Sequence, residues 1–431
     1  MISLAFSVLF IAFLLLTLAL QFWLGSRHIR HILRHRAAVP TEFATKIPLD
    51  AHQKAADYTI AKTKLGMIML LINAAVLISF TLFGGLQWLS VALVKFTGPG
   101  MTYQLSLLAS FALISAIIDL PLDYYKQFVL EEKFGFNKMT PGLFFTDMLK
   151  SSLLGAAIGL PLIWVMLTLM DKSGALWWLY AWIVWSGFQL LMMLIFPTWI
   201  APLFNKFTPL SDDALRSRIE GLMQRVGFAS KGLFVMDGSK RSAHGNAYFS
   251  GFGASKRIVI FDTLLARLAP EEIEAVLAHE LGHFKLKHIV KRISVMFIIS
   301  LGFLALLGFL TQQIWFYNGL GVEPMLLASN DAMALILFML TLPVFTFVLS
   351  PLTSISSRKH EFEADAFAAK HSNGDNLVAA LVKLYEDNAS TLTPDPLHSA
   401  FYDSHPPASL RISRLQQASA PLSPALNGAA S

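Results

Sequence analysis

The pentapeptide His279-Glu280-Leu281-Gly282-His283 concentrates metal-binding and acid-base side chains within one turn of chain. Helical residues four apart share a face, so the two imidazoles can converge on one ion with Glu280 beside them. That is the geometry of a zinc hydrolase. Pro270, Glu271 and Glu272 read as a helix's first turn, and Ile273, Val276, Leu277 and Leu281 recur at helical spacing, which centres the motif in a predicted helix. Two histidines merely satisfied in a core are the competing reading.

A catalytic zinc takes three protein ligands and leaves a fourth position for water. The sequence has no cysteine, so the third ligand must be His, Asp or Glu. The best source is Ser357-Arg358-Lys359-His360-Glu361-Phe362-Glu363-Ala364-Asp365-Ala366. On a helix, Glu361 and Asp365 lie one turn apart on one face while Glu363 points away. Glu361 is the expected ligand, Asp365 the expected partner of a ligand histidine, and His360 the rival ligand. His288, nine residues after His279, is expected on the far side of a continuing helix as an interfacial or structural histidine. One zinc per chain would polarise a carbonyl and acidify water toward about pH 7, with Glu280 carrying the proton from water to the leaving amine. His405, in Ser404-His405-Pro406-Pro407, and Arg411 are candidate donors to charge developing on the carbonyl oxygen. A proline-closed turn and a surface arginine are the plainer alternative.

Composition supplies the setting for this chemistry. A chain 55% hydrophobic and 14% charged, with mean hydropathy +0.56, lies outside the range of soluble domains and reads as a membrane protein. Its net charge of +6 gathers beside apolar spans rather than in a separate basic domain, so orientation in a bilayer explains it and nucleic acid is not an expected partner. Seven spans are predicted, near 3–24, 66–89, 104–122, 152–170, 176–196, 293–311 and 333–350. The first lacks a basic leader and a small-residue cleavage site and reads as retained. Asp119 and Pro121, Pro161 and Pro343 interrupt the third, fourth and seventh spans; Asp119 reads equally as interfacial or as facing a partner.

Lys and Arg orient these spans. Residues 25–64 carry eight and 123–150 carry four, whereas the alternate connections hold Lys95, Lys172 and, between 312 and 332, none. The positive-inside rule then puts 25–64, 123–150, 197–292 and 351–431 on the cytoplasmic side. Two spans separate His283 from Glu361, so parity returns both to one face.

Upstream of the motif, Asn246 to Gly251 and Arg257 to Phe261 read as strands of a hairpin turning through Gly253 to Lys256. Such an edge can take an extended peptide as an added strand, or can simply support the helix. The expected organisation is an N-terminal membrane region at 1–200 with five spans, a metalloprotease domain at 201–415 containing the last two, and a disordered tail at 416–431.

These residues resemble the integral-membrane zinc metalloproteases typified by the type I CAAX prenyl endopeptidases. The resemblance covers nearly the whole chain, through Glu132 to Lys138, Ile200 to Phe207, Asn246-Ala247-Tyr248, His279 to His283, Glu361 to Asp365 and Ser404 to Pro407. It implies His279, His283 and Glu361 as zinc ligands, Glu280 as the catalytic carboxylate and Asp365 behind a ligand. It makes Asn246, His405 and Arg411 contacts to substrate or to the charge formed on it, with Ala247 and Tyr248 in the same substrate-binding stretch. The implied fold is a mostly α, polytopic membrane protein, its seven helices enclosing a chamber with the metal near the cytoplasmic end. The implied substrate is a peptide or protein, C-terminally prenylated in eukaryotic members. Without a recognisable endoplasmic-reticulum retention signal, the expected location is a bacterial inner membrane, or the endoplasmic reticulum if the source is eukaryotic. A membrane quality-control protease and a metal carrier are the alternatives; carriers hold ions near the midplane of spans, where these ligands do not fall.

Overall fold

Backbone that crosses lipid must satisfy its own hydrogen bonds, so long apolar runs become helices. The computed structural model describes residues 1–230, 232–250, 256–326 and 328–419. Its first half is a helical array of α1 (Ile2–His35), α2 (Leu49–Phe80), α3 (Gly85–Thr97), α4 (Met101–Tyr125), α5 (Pro141–Lys172) and α6 (Trp177–Ile195). The second half interleaves α7 (Asp213–Arg225), α8 (Asp262–Leu265), α9 (Pro270–Lys285), α10 (His288–Leu310), α11 (Ile314–Asn318), α12 (Asp331–Thr346), α13 (Ser350–His371), α14 (Gly374–Asp387), α15 (Pro396–Tyr402) and α16 (Ala408–Ser419) with a four-stranded sheet. Among the described residues seven helices are long and apolar enough to cross a membrane.

Several expected boundaries move. The second span does not run from 66 to 89: α2 ends at Phe80, and the chain turns through Thr81 and the left-handed Gly84 before α3 begins. The Gly84-Gly85 pair supplies the break, since Gly84 adopts φ +75° and a Cβ on Gly85 would lie 2.7 Å from the Ser79 carbonyl oxygen. The helix of the seventh span does not stop near 350. A single 3₁₀ turn at Phe347–Leu349 joins α12 to α13, making one helical run from the membrane segment to the acidic cluster. Gln416 to Ser419 continue α16, so the first residues of the expected tail are helical; 420–431 lie outside the described residues.

The predicted hairpin is part of something larger. Strands β1 (Phe207–Pro209), β2 (Leu233–Met236), β3 (Ala247–Ser250) and β4 (Arg257–Phe261) lie in the order β1-β2-β4-β3. β3 pairs antiparallel with β4, Ala247 opposite Ile260 and Phe249 opposite Ile258, while β2 joins β4 in parallel. The turn through Gly253 falls at 251–255, outside the described residues. β3 is an edge strand, its outer side unpaired by any other strand of the sheet.

Two of the four apolar clusters among the described residues are much the largest. One joins the sheet to α7, α9, α14 and α16 through Ile219, Leu222, Ile258, Ile260, Leu277, Leu281 and Ile412. The other lies within the bundle, where α12 contributes Met333, Ile336, Leu337 and Val344 against α1, α4 and α5 residues such as Phe10, Leu107 and Leu167.

Candidate metal centre

Helix α9 is begun by Pro270, whose missing N–H is one of the unsatisfied donors of a first turn anyway, and by Glu272, whose carboxylate accepts from the Ala269 N–H at 2.8 Å. Lys383 holds that carboxylate at 2.7 Å, while Arg218 and Arg225 grip Glu274. The apolar side of α9 is buried at Ile273, Leu277, Ala278 and Leu281. Gly282 then admits α13: a Cβ there would stand 3.0 Å from the Ala364 Cα and 3.1 Å from the Phe367 Cβ. The glycine within the motif therefore sets how closely the helix bearing Glu361 approaches the histidine pair.

Through that approach Glu361 meets both imidazoles. Its Oε2 lies 3.4 Å from His279 Nε2, its Oε1 3.2 Å from His283 Nε2, and the two Nε2 atoms are 3.2 Å apart. One ligand atom from each of the three residues falls within a 4.8 Å group. The far side of each ring fixes its tautomer. Asp365 Oδ1 is 2.8 Å from His279 Nδ1; a carboxylate only accepts, so Nδ1 carries the proton and Nε2 offers a lone pair. Glu361 Oε2 is buried and has no hydrogen-bond partner. Bare lone pairs facing one another need a cation between them, and this donor set of two nitrogens and a carboxylate suits zinc. Burial presses the His279 pKa down, but the neighbouring carboxylates of Asp365 and Glu361 overcome it and raise the pKa to about 9.

Asp365 is held in turn by Arg411, whose Nε and Nη2 donate to its two oxygens at 2.8 and 2.6 Å. Both residues are buried, Arg411 Nη1 lies 3.7 Å from Glu361, and the neighbouring carboxylates keep the guanidinium charged against the burial that disfavours it. His405 is different: its side chain is 62% exposed, with Nε2 3.5 Å from Glu361 Oε1. Burial within its surroundings nonetheless lowers its pKa. Glu280 lies outside the ligand triad and lines the adjoining cleft, where burial raises its pKa above that of an ordinary carboxyl.

The cleft, of about 300 Å³, is lined by His279, Glu280, Glu361, His405 and Arg411 together with Asn246 and Ala247 of the β3 segment. Tyr248 does not join it. Side chains alternate along a strand, and the one after Ala247 leaves for the other face, where its ring meets Phe261. Sequence reasoning also missed the opposite wall, formed by Leu377, Leu381, Leu384, Tyr385 and Asn388 of α14 and its C-cap. The apolar period of that helix was the available signal.

His288 corrects a further expectation. Helix α9 ends at Lys285 and Lys287 takes a left-handed conformation at φ +58°, so α10 does not continue the axis of α9. His288 therefore begins α10 with Nδ1 3.1 Å from His283 Nδ1, rather than pointing away from it. The rival ligand His360 stacks on His288, ring centroids 4.1 Å apart.

Residues 28–206 match the family model described as "CAAX prenyl protease N-terminal, five membrane helices", and residues 209–419 match "Peptidase family M48". The chain is 38% identical over 411 residues to CAAX prenyl protease 1 of Saccharomyces cerevisiae, covering 88% of this chain and 89% of the relative. Identity to the CAAX prenyl protease 1 homolog of Homo sapiens is 32%, over 90% of both chains. The crystal structure of S. mikatae Ste24p superposes with a TM-score of 0.90 at 35% identity, covering 95% of this chain and 99% of that one. Matched over both halves, the chain belongs to peptidase family M48 and is an integral-membrane metalloendopeptidase of the CAAX prenyl protease type.

Proposed function

We propose that the metal is one zinc ion held by His279, His283 and Glu361, and that the enzyme hydrolyses a peptide bond near the C terminus of a prenylated protein. The observation that carries this reading is the buried triad with an unpartnered Glu361 oxygen, beside a cleft that also holds Glu280. Zinc, when bound, supplies Lewis acidity toward a carbonyl and makes water a better acid. The chain's own groups do the rest. Glu280 takes a proton from the attacking water and gives it to the leaving amine, and burial raises its pKa above that of an ordinary carboxyl, the direction that favours the protonated form it needs as a donor. His405 donates to the carbonyl oxygen as charge develops there. Arg411, with two nitrogens committed to Asp365, keeps that carboxylate aligned on His279 and contributes its charge from behind. The unpaired side of β3, beginning at Asn246 and Ala247, receives the substrate backbone as an added strand.

The ligands lie on the cytoplasmic side of the bilayer, in a bacterial inner membrane or, for a eukaryotic source, the endoplasmic reticulum. The distribution of Lys and Arg among the connections supports that orientation. We further read residues 1–200 as a membrane part and 201–415 as a metalloprotease part, which the family-model boundaries support. A chamber within the bundle accommodates the prenyl chain. Its support is the family resemblance, which covers both the five-helix N-terminal part and the peptidase part of the chain.

Cleavage of a farnesylated CAAX peptide, measured beside its unprenylated twin with and without a chelator, tests the reading. Chelator-sensitive cleavage favouring the farnesylated peptide is expected. Chelator-resistant cleavage overturns the metal chemistry; equal turnover of the two peptides overturns the substrate assignment and favours a quality-control protease.

A further inference from the structure

We propose that His288 and Glu363 form a second positioning relay, orienting His283 as Asp365 orients His279. The inference rests on the reading of His283 as a zinc ligand. Metal binding through Nε2 leaves the neutral ring's proton on Nδ1, and that atom faces His288 Nδ1 at 3.1 Å. An N–H can meet a ring nitrogen there only if the second ring accepts, so His288 Nδ1 is bare and its Nε2 carries the proton. Glu363 Oε2 receives that proton at 2.8 Å. Each atom in the chain His283 Nδ1–H, His288 Nδ1, His288 Nε2–H, Glu363 Oε2 thus has one consistent role.

The fold supplies these atoms for stated reasons. The left-handed Lys287 interrupts the helix between α9 and α10, and His288 lies beside His283 instead of being carried round the axis of α9. Glu363 leaves α13 on a different side from Glu361 and Asp365, the side that meets the start of α10. His288 is buried, with 4% of its surface exposed, so its two nitrogens have these partners in place of water. His288, His360 and Glu363 could also be taken for a second metal site. The rings of His288 and His360 lie within 15° of parallel at 4.1 Å, however, and stacked rings cannot both direct an in-plane lone pair at one ion. A metal on His288 Nε2 would also move its proton to Nδ1, against the N–H of His283.

The two relays differ in shelter. The Asp365 side chain is 5% exposed and locked by Arg411, whereas Glu363 is 36% exposed with Lys359 4.0 Å away. Glu363 should therefore contribute less than His288.

Zinc affinity of the purified full-length protein, measured by competition with a chelator, tests the relay. Outer-sphere partners of metal ligands typically matter ten- to a hundredfold, so His288→Ala should weaken zinc by about that factor and Glu363→Ala by about three- to tenfold. His288→Asn, whose amide oxygen stands where Nδ1 accepts, should recover most of the loss; His288→Gln, whose polar end replaces Nε2, should not. His283→Ala reports separately on the ligand assignment. If it keeps parental zinc affinity, the ligand reading falls and the relay with it. If it loses zinc while His288→Ala binds within about twofold of the parent, the relay alone is overturned. Should the alanine variant fail to fold, Asn against Gln decides: equal affinities contradict the relay.

Discussion

Helix α4 and the crossing of α9 with α13 are opposite solutions to placing a helix. Along the span that begins at Met101, 6% of the most apolar stretch is buried, and Tyr103, Gln104 and Leu107 are the buried positions of α4. At the crossing, Leu277, Ala278, His279, Leu281, Ala364 and Asp365 are all buried, and Gly282 lets the backbones approach. The first helix is placed by the apolar medium along most of its length; the second pair is fixed by close side-chain and backbone contacts on both helices. α12 connects the two regimes. It lies in the span with 44% of its most apolar stretch buried, and it runs almost without interruption into the helix bearing Glu361.

Substitutions at the crossing should therefore act on chemistry, metal and stability, while those on the sparsely packed spans should be mild. The largest expected effect is that of Glu280→Gln, which should lower turnover about 10²–10⁴-fold while leaving roughly one zinc per chain by metal analysis. Loss of zinc in that variant would mean that Glu280 belongs to the ligand set. Next is Asp365→Ala. It should weaken zinc about ten- to a hundredfold and, by leaving Arg411 buried without its partner, destabilise the protein by about 3–5 kcal/mol. Arg411→Ala in the same assay should spare zinc more than Asp365→Ala does, because the carboxylate still reaches His279.

A direct test of the contrast pairs Leu277→Ala in the protease core with Leu113→Ala on α4, which is 62% exposed. The first should cost about 2–5 kcal/mol. The second should stay within about 0.5 kcal/mol, both read from thermal unfolding in one detergent. Equal losses would show α4 packed as tightly as α9.

The smallest expected effect is pH-dependent. Burial holds the His398 imidazole down to about 4, and its ring stacks on His28 at 3.9 Å where α15 meets α1. Between an unfolded value near 6.5 and that folded value the unfolded chain binds the extra proton, so this contribution is present above pH 6.5 and is lost as pH falls toward 4. The protection factors of the α15 amides, corrected for the intrinsic pH dependence of exchange, should fall on acidification from pH 7 to pH 5 in the parent, and His398→Phe should reduce that fall.

Much of the site was legible because it is local. His279 and His283 declare their shared face through a spacing of four, and Glu361 and Asp365 do the same, so the sequence period stands for the geometry. The span count followed from length and hydropathy. What escaped depends on single backbone turns or on partners distant in sequence. The Thr81–Gly84 break splits an otherwise uniform apolar run. Lys287 breaks an otherwise continuing helix with one left-handed residue, which no pattern of apolar residues announces, and so His288 was placed on the wrong side. β2 joins β4 in parallel through a long connection, whereas the β3–β4 hairpin is nearly contiguous. Tyr248 was assigned to the substrate with Asn246 and Ala247, and it does not line the cleft that those two line.

The most direct test is the equilibrium zinc affinity of Glu361→Ala measured beside His360→Ala. With zinc held by His279, His283 and Glu361, the Glu361 variant should lose tight binding and the His360 variant should retain it. Parental affinity without Glu361, together with its loss on removing His360, would contradict the assigned centre.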